Sequence, residues 1–134
     1  MALQPDDDGA ADDGARLRHD AGTGSAMAVR FLHVQTTTDS RAEAMELAHD
    51  AVQARLAACA QVAGPLASTF WWEDAIERAE EWLVMLKLPA DRYRELADFL
   101  IERHSYDEPE IIATPIVAGS DGYLDWITEE TRPR

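Results

Sequence analysis

The chain has 134 residues, 46% of them hydrophobic, and a formal net charge of −14. This length favours one domain with its own core, and the acidity argues against nucleic acid or an anionic membrane as a partner. No apolar run approaches the roughly 20 residues of a membrane-spanning helix, and the N-terminus lacks a secretory-signal layout. We therefore expect a soluble cytoplasmic protein, and its single cysteine, Cys59, agrees with a reducing compartment.

Residues 1–26 differ in composition from the rest of the chain, being rich in Asp, Gly and Ala without an apolar period. Such a segment cannot bury enough surface to offset the entropy lost on ordering. We predict a disordered acidic tail over 1–26 and one folded domain over 27–134. The tail contains six Asp and two Arg, so most of the net negative charge belongs to the folded part.

The first predicted elements are a strand and a helix. Residues 28–36 alternate in a strand pattern with both faces largely apolar, as in a strand inside a covered sheet. Ser40 then begins a Ser-x-x-Glu capping box, in which Ser40 accepts from the Glu43 amide and Glu43 reaches back. Apolar residues continue at helical spacing, and we expect this helix to end near Ala57.

A long β-hairpin is predicted next. Its first strand covers 59–72 with an irregularity at Gly64-Pro65, because proline cannot donate to a ladder. A turn at 74–75 leads into a returning strand over 76–88. The hairpin carries Lys87, which we expect to pair with a carboxylate in this acidic domain.

The last third of the chain predicts a helix, a strand and a short terminal helix. The helix opens at 89–91 and ends near His104. In the following strand, 111–117, Pro115 indicates an edge or a bulge, and Ser120 is expected to cap the terminal helix. The resulting β-α-β-β-α-β order predicts an α+β, ferredoxin-like sandwich with a C-terminal helix.

Several segments together resemble the divalent-cation tolerance protein CutA family over about residues 28–130. In order, they are a strand-then-Thr start at 34–38, LAACAQV at 56–62, FWWE at 70–73, Glu81 with Lys87, HSYDEPEI at 104–111 and YLDWI at 123–127. The resemblance implies a homotrimer in which the hairpin of one subunit reaches across its neighbour. It also implies a role in tolerance to divalent cations, copper especially, and no established enzymatic reaction.

The resemblance further implies candidate sites. Family metal binding has been associated with a first-strand cysteine and a histidine pair, but here the first strand has no cysteine and the pair is reduced to Arg103-His104. His104 is the remaining candidate ligand, and we expect at most a weakly bound divalent cation such as copper, because Cu(II) favours several imidazole or carboxylate ligands. The predicted cleft between subunits is lined by Trp72, Glu81, Lys87, Tyr106, Glu110, Tyr123 and Trp126.

Other interpretations stay open at this point. HSYDEPEI also fits a rigid helix-to-strand connector, because the residue before Pro109 avoids the helical region. A PII-like small-molecule sensor would share the fold and the trimer, but it needs a loop with basic groups for nucleotide phosphates. An enzyme using His104 with a carboxylate as acid and base, and a structural trimer serving as an assembly module, are the remaining alternatives; we expect no enzyme.

Overall fold

The computed structural model describes residues 28–134, so the predicted tail and the domain start at residue 27 lie outside the described residues. The elements are β1 (Phe31–Thr38), α1 (Arg41–Gln53), β2 (Cys59–Trp72), β3 (Ala75–Pro89), a 3-10 turn (Ala90–Arg92), α2 (Tyr93–Arg103), β4 (Ile111–Pro115) and α3 (Asp121–Glu130). The predicted order of strands and helices is confirmed. No helix in this described range is long and apolar enough to cross a bilayer.

The four strands form one antiparallel sheet in the order β2-β3-β1-β4. The central strands β1 and β3 are paired on both sides, which agrees with the apolar character of their sequences. Strand β4 lies at an edge, where Pro115 is tolerated because no neighbour requires its missing amide proton. The edge position predicted from Pro115 is therefore confirmed.

The main core lies between one face of the sheet and helices α1 and α2. Val34, Leu86 and Leu88 point to this side and pack with side chains such as Leu47 of α1 and Leu96 of α2. Because side chains alternate along a strand, the intervening residues of β1 and β3 point to the opposite face, which we call the open face.

Helix α3 covers only one end of the open face. Ile127, which is fully buried, packs with Phe31 and Ala58 there, and Leu124 packs against this small cluster. No other helix of residues 28–134 covers the rest of the open face.

The hairpin extends well beyond the rest of the sheet. Strands β2 and β3 pair from Cys59 and Lys87 to Trp72 and Ala75, whereas β1 follows β3 only as far as Trp82. Residues 66–81 consequently form a projecting two-stranded arm.

The arm has an irregular base and a tight tip. The β2–β3 register shifts between Ala63 and Leu66, confirming the irregularity predicted at Gly64-Pro65. The chain reverses at Glu73 and Asp74, with φ of 50° and 67°, so the turn lies one residue earlier than predicted. Positive φ at both central residues matches the twist of a two-residue hairpin.

The capping box of α1 forms only in part. The Glu43 amide donates to Ser40 Oγ at 3.1 Å, as predicted. The prediction that the Glu43 carboxylate reaches back was wrong, because it accepts instead from the Ser105 amide at 2.9 Å and hydroxyl at 2.8 Å. The Glu43 carboxylate, which the local sequence pattern assigned to the N-terminus of α1, therefore binds Ser105, a residue distant in the sequence.

Two other helix-end predictions were also wrong. Helix α1 ends at Gln53 and not near Ala57, because Arg55 takes a left-handed conformation with φ of 65°, and this conformation commonly terminates helices. Ser120 occupies the N-cap position of α3, but its side chain makes no capping hydrogen bond.

Candidate functional site

The segment after α2 is a connector built around a fully buried His104 side chain. Its Nε2 lies 3.0 Å from the Thr37 carbonyl oxygen and 3.1 Å from Thr36 Oγ1, and its Nδ1 lies 3.1 Å from the Tyr106 amide nitrogen. Because a backbone amide can only donate, Nδ1 must be the acceptor and Nε2 carries the proton. The ring therefore ties the end of α2, the end of β1 and the connector together.

The electrostatic surroundings keep this ring neutral. Burial lowers the pKa of His104, and the Glu43 carboxylate, with Oε2 at 3.9 Å from Nδ1, opposes that effect only in part. Both ring nitrogens already have partners, so a metal ion could bind His104 only if one of those hydrogen bonds opened. The predicted connector role of HSYDEPEI is confirmed.

Metal ligation by His104 stays a prediction. Within residues 28–134, no group of three or more His, Cys, Asp or Glu side chains is placed to hold a metal ion. The carboxylate that the structure places beside His104 is that of Glu43, with Oε2 3.9 Å from Nδ1. Such a donor set does not fit a tight copper site, which needs more imidazole, thiolate or carboxylate ligands.

Tyr106 and Glu81, two of the predicted cleft residues, are in direct contact. The Tyr106 hydroxyl donates to Glu81 Oε2 at 2.9 Å, and Glu81 is only 2% exposed. The Tyr106 ring also packs against His104, with 4.9 Å between ring centroids. Trp72 joins this region because it lines, with Tyr106 and Phe70, a shallow depression along the arm.

Glu110 lies away from this contact. Its Oε2 accepts a hydrogen bond from Gln35 Nε2 at 2.9 Å, near the middle of β1. This hydrogen bond ties the start of β4 to β1 at the end of the connector.

Lys87, Tyr123 and Trp126 belong to the opposite end of the open face. Tyr123 and Trp126 stack with ring centroids 5.5 Å apart, and burial together with the neighbouring Cys59 thiol raises the pKa of Tyr123. Lys87 Nζ donates to Gln61 Oε1 at 2.5 Å. The expected carboxylate partner of Lys87 is therefore replaced by a neutral amide within residues 28–134.

The predicted cleft residues thus occupy separate parts of one chain. Glu81 and Lys87 lie six residues apart on the same side of β3, which places them roughly 20 Å from each other. Trp72, Glu81 and Tyr106 lie at the arm, and the Lys87 group lies beside α3. A common cleft would need a surface from another chain to join these regions, so the cleft stays a prediction.

Sequence reasoning missed the partners that hold these side chains. Thr36 and Thr37 were not singled out, although they bind His104, because threonines in a strand give no local signal of a distant histidine. Gln61 was missed as the partner of Lys87 because their proximity depends on the β2–β3 register, which pairs Cys59 with Lys87. Only a correct register would have indicated this contact.

Comparisons with known proteins identify the family. Residues 32–130 match the sequence profile of the family described as CutA1 divalent ion tolerance protein. The chain belongs to this family. It is 38% identical over 99 residues to the divalent-cation tolerance protein CutA of Archaeoglobus fulgidus, a match that covers 74% of this chain and 94% of that protein.

Two further relatives of this CutA1-family chain come from plants. Over 108 residues it is 34% identical to the chloroplastic protein CutA of Arabidopsis thaliana, covering 81% of this chain and 59% of the relative's own length. The crystal structure of CutA1 from Oryza sativa superposes with a TM-score of 0.75 at 31% identity, covering 78% of this chain and 95% of that one. The predicted family resemblance is confirmed.

Proposed function

We propose that this chain acts in divalent-cation tolerance as a cytoplasmic homotrimer that binds a divalent cation such as copper weakly and catalyses no reaction. The family match over residues 32–130 carries this proposal, since it covers nearly the whole described domain. We assign the domain to the ferredoxin-like class, because it has the β-α-β-β-α-β order and an antiparallel sheet in the order β2-β3-β1-β4.

The projecting arm supports the homotrimer. A two-stranded hairpin is at best marginally stable in water unless something packs against it. On the arm, Trp71 is 69% exposed and its cross-strand partner Ile76 is 60% exposed, with Leu66 at 36%. Large apolar side chains on a bare hairpin favour coverage by another copy of the chain, and aromatic residues are enriched at such interfaces.

Sedimentation equilibrium tests the trimer. The wild-type chain should sediment at three times the mass of one chain, and the double variant Trp71→Ser with Ile76→Ser should shift towards the monomer. Val117→Ser is the matched control, because Val117 is 85% exposed but lies outside the arm. A wild-type monomer in dilute buffer would contradict the proposal.

The His104–Glu43 pair is the candidate cation site in one chain. A cation at Nδ1 would have to displace the Tyr106 amide, and Glu43 would have to release Ser105. These competing hydrogen bonds favour weak binding, unless another subunit supplies additional ligands.

Calorimetric titration with Cu(II), Zn(II) and Mg(II) tests the cation site. Wild type should bind Cu(II) weakly, and His104→Ala should remove that binding. His49→Ala is the matched control, because the His49 side chain is 70% exposed and its only described partner is Asp50. Binding that survives His104→Ala but disappears with His49→Ala would place the ion on the outer surface of α1 instead.

A structural assembly module is the second candidate, and the exposed Trp71–Ile76 pair is the observation that favours it. An assembly module requires the trimer but no cation. A stable trimer that binds none of the three cations would therefore support this alternative.

A further inference from the structure

A row of chemically active side chains crosses the whole open face of the sheet. The strand register places Cys59 opposite Lys87, Lys87 opposite His33, and His33 opposite Thr114. Directly paired residues point to the same face with Cβ atoms about 4.5–5.5 Å apart. These four side chains therefore lie side by side across β2, β3, β1 and β4.

Lys87, the positively charged residue of this row, has unusual surroundings for so acidic a chain. Lys87 is the only lysine in the sequence, which carries 26 acidic residues, yet its described hydrogen bond goes to the neutral Gln61 amide. An ammonium group has three donors, so two remain beyond this bond. Within residues 28–134, no carboxylate forms an ion pair with Lys87.

The neighbours of Lys87 add neutral hydrogen-bonding groups. Burial, followed by the positive charge of Lys87, lowers the pKa of His33, so its imidazole is neutral and retains one N–H donor. At the other end of the row, burial together with the neighbouring Cys59 thiol raises the pKa of the Tyr123 hydroxyl. The region thus combines one positive charge with uncharged donors.

We propose that this row binds a small carboxylate, with Lys87 Nζ as the charged contact and His33 as a neutral donor beside it. One positive charge balances the single negative charge of a carboxylate, whereas a doubly charged phosphate would favour a second cation or an arginine. The site takes an anion and is separate from His104, so it does not depend on the cation proposal.

The acidic residues of the arm tip do not prevent anion binding at Lys87. The acidic residues of the arm tip, such as Glu73 and Glu77, lie ten or more positions from Lys87 along the hairpin, which corresponds to about 30 Å. Interactions between exposed charges are largely screened beyond about 8 Å at physiological ionic strength. The carboxylates of the arm tip therefore contribute little to the electrostatic field at Lys87.

Cys59 provides a direct test, because it is the only thiol in the chain and faces Lys87. Iodoacetate carries a carboxylate and iodoacetamide is its neutral analogue. With either reagent the thiolate sulfur bonds to the methylene carbon and iodide leaves. A change in the fraction of Cys59 present as thiolate alters the rates of both reagents equally. The ratio of the iodoacetate rate to the iodoacetamide rate therefore measures how strongly the site attracts the carboxylate of iodoacetate.

We expect Lys87→Gln to lower the iodoacetate-to-iodoacetamide rate ratio by about five-fold, as for loss of one partly exposed charge contact. Lys87→Arg should keep the ratio within about two-fold of wild type, and so should Arg41→Gln, which removes one positive charge from the other side of the sheet. Excess acetate should slow only the iodoacetate reaction. A ratio that Lys87→Gln leaves unchanged would overturn the proposal.

Fluorine NMR of trifluoroacetate gives a second measurement that needs no thiol reaction. When trifluoroacetate is mixed with the full chain, its fluorine resonance should broaden. Excess acetate should reverse this broadening, and the Lys87→Gln variant should not cause it. If Lys87 instead pairs with a carboxylate of another copy, trifluoroacetate will not broaden and the proposal fails. Copper titration of the Lys87→Gln variant should match wild type, which separates this result from the cation proposal.

Discussion

Replacing His104 by alanine is the most informative single change, because its ring connects three segments. The substitution removes the Nε2 proton that Thr37 accepts and the Nδ1 lone pair that the Tyr106 amide uses. Each buried polar group left without a partner costs about 1–3 kcal/mol, and the lost ring adds a cavity penalty. We expect His104→Ala to lower the free energy of unfolding by about 3–5 kcal/mol, a large part of the roughly 5–15 kcal/mol of a typical domain.

Urea unfolding followed by tryptophan fluorescence measures this loss. All variants must be compared at the same chain concentration, because association contributes to apparent stability. His49→Ala is the control, since the His49 side chain is 70% exposed and most surface substitutions change stability by less than about 0.5 kcal/mol. If His104→Ala unfolds at the same urea concentration as His49→Ala, the inferred hydrogen-bond network is wrong.

The same variant should change the pH dependence of stability. Burial holds the pKa of His104 below its ordinary value, which is about 6.5 in an unfolded chain. As pH falls below that value, the unfolded state takes up a proton before the folded state does, so the free energy of unfolding decreases until the folded ring is also protonated. Wild type should therefore lose more stability between about pH 7 and pH 5 than His104→Ala does. An identical loss in both proteins would contradict this assignment, because the His33 contribution is common to both.

Three other substitutions test the packing that positions the candidate site. Gly64→Ala should destabilise by about 1–3 kcal/mol in thermal melts, because φ is +155° and the new Cβ would lie 2.6 Å from Trp82 Cδ1. Leu86→Ala should cost about 2–5 kcal/mol in urea unfolding, since Leu86 is 0% exposed. Tyr106→Phe should cost about 1–3 kcal/mol in the same assay, because the buried Glu81 loses a hydroxyl donor. Unfolding midpoints equal to wild type in any of the three would contradict the corresponding contact.

Local sequence patterns predicted the elements of this fold well, for physical reasons that can be named. The Ser40 cap depends on residues three positions apart, and Pro115 is confined to an edge because it lacks an amide proton. Both patterns depend only on residues a few positions apart, so they can be recognised without knowing the rest of the fold. The arm irregularity at Gly64-Pro65 was predictable on the same grounds.

Contacts between distant segments were not predictable in this way. Glu43 fits a capping box, but the energy of binding the Ser105 amide and hydroxyl outweighs the local cap, and no pattern within α1 reports Ser105. Lys87 was expected to pair with a carboxylate because acidic residues outnumber basic ones. Charge composition does not indicate which face of a strand a carboxylate occupies. The β2–β3 register instead brings the neutral Gln61 side chain next to Lys87.

The distribution of polar groups on β3 links these observations to function. Glu81 and Lys87 point to the same face of one strand but lie roughly 20 Å apart. Glu81 accepts a hydrogen bond from the Tyr106 hydroxyl, and Lys87 donates one to the Gln61 amide. Glu81 is 2% exposed, whereas the hydrogen bond between Lys87 and Gln61 is exposed, so Lys87 is the group on this strand that a ligand or another subunit can contact. Neutralising the amine with Lys87→Gln and the acid with Glu81→Gln should therefore have separable effects, the first on carboxylate recruitment and the second on stability through Tyr106. If both variants changed only trimer mass, the face would be an interface and not a binding surface.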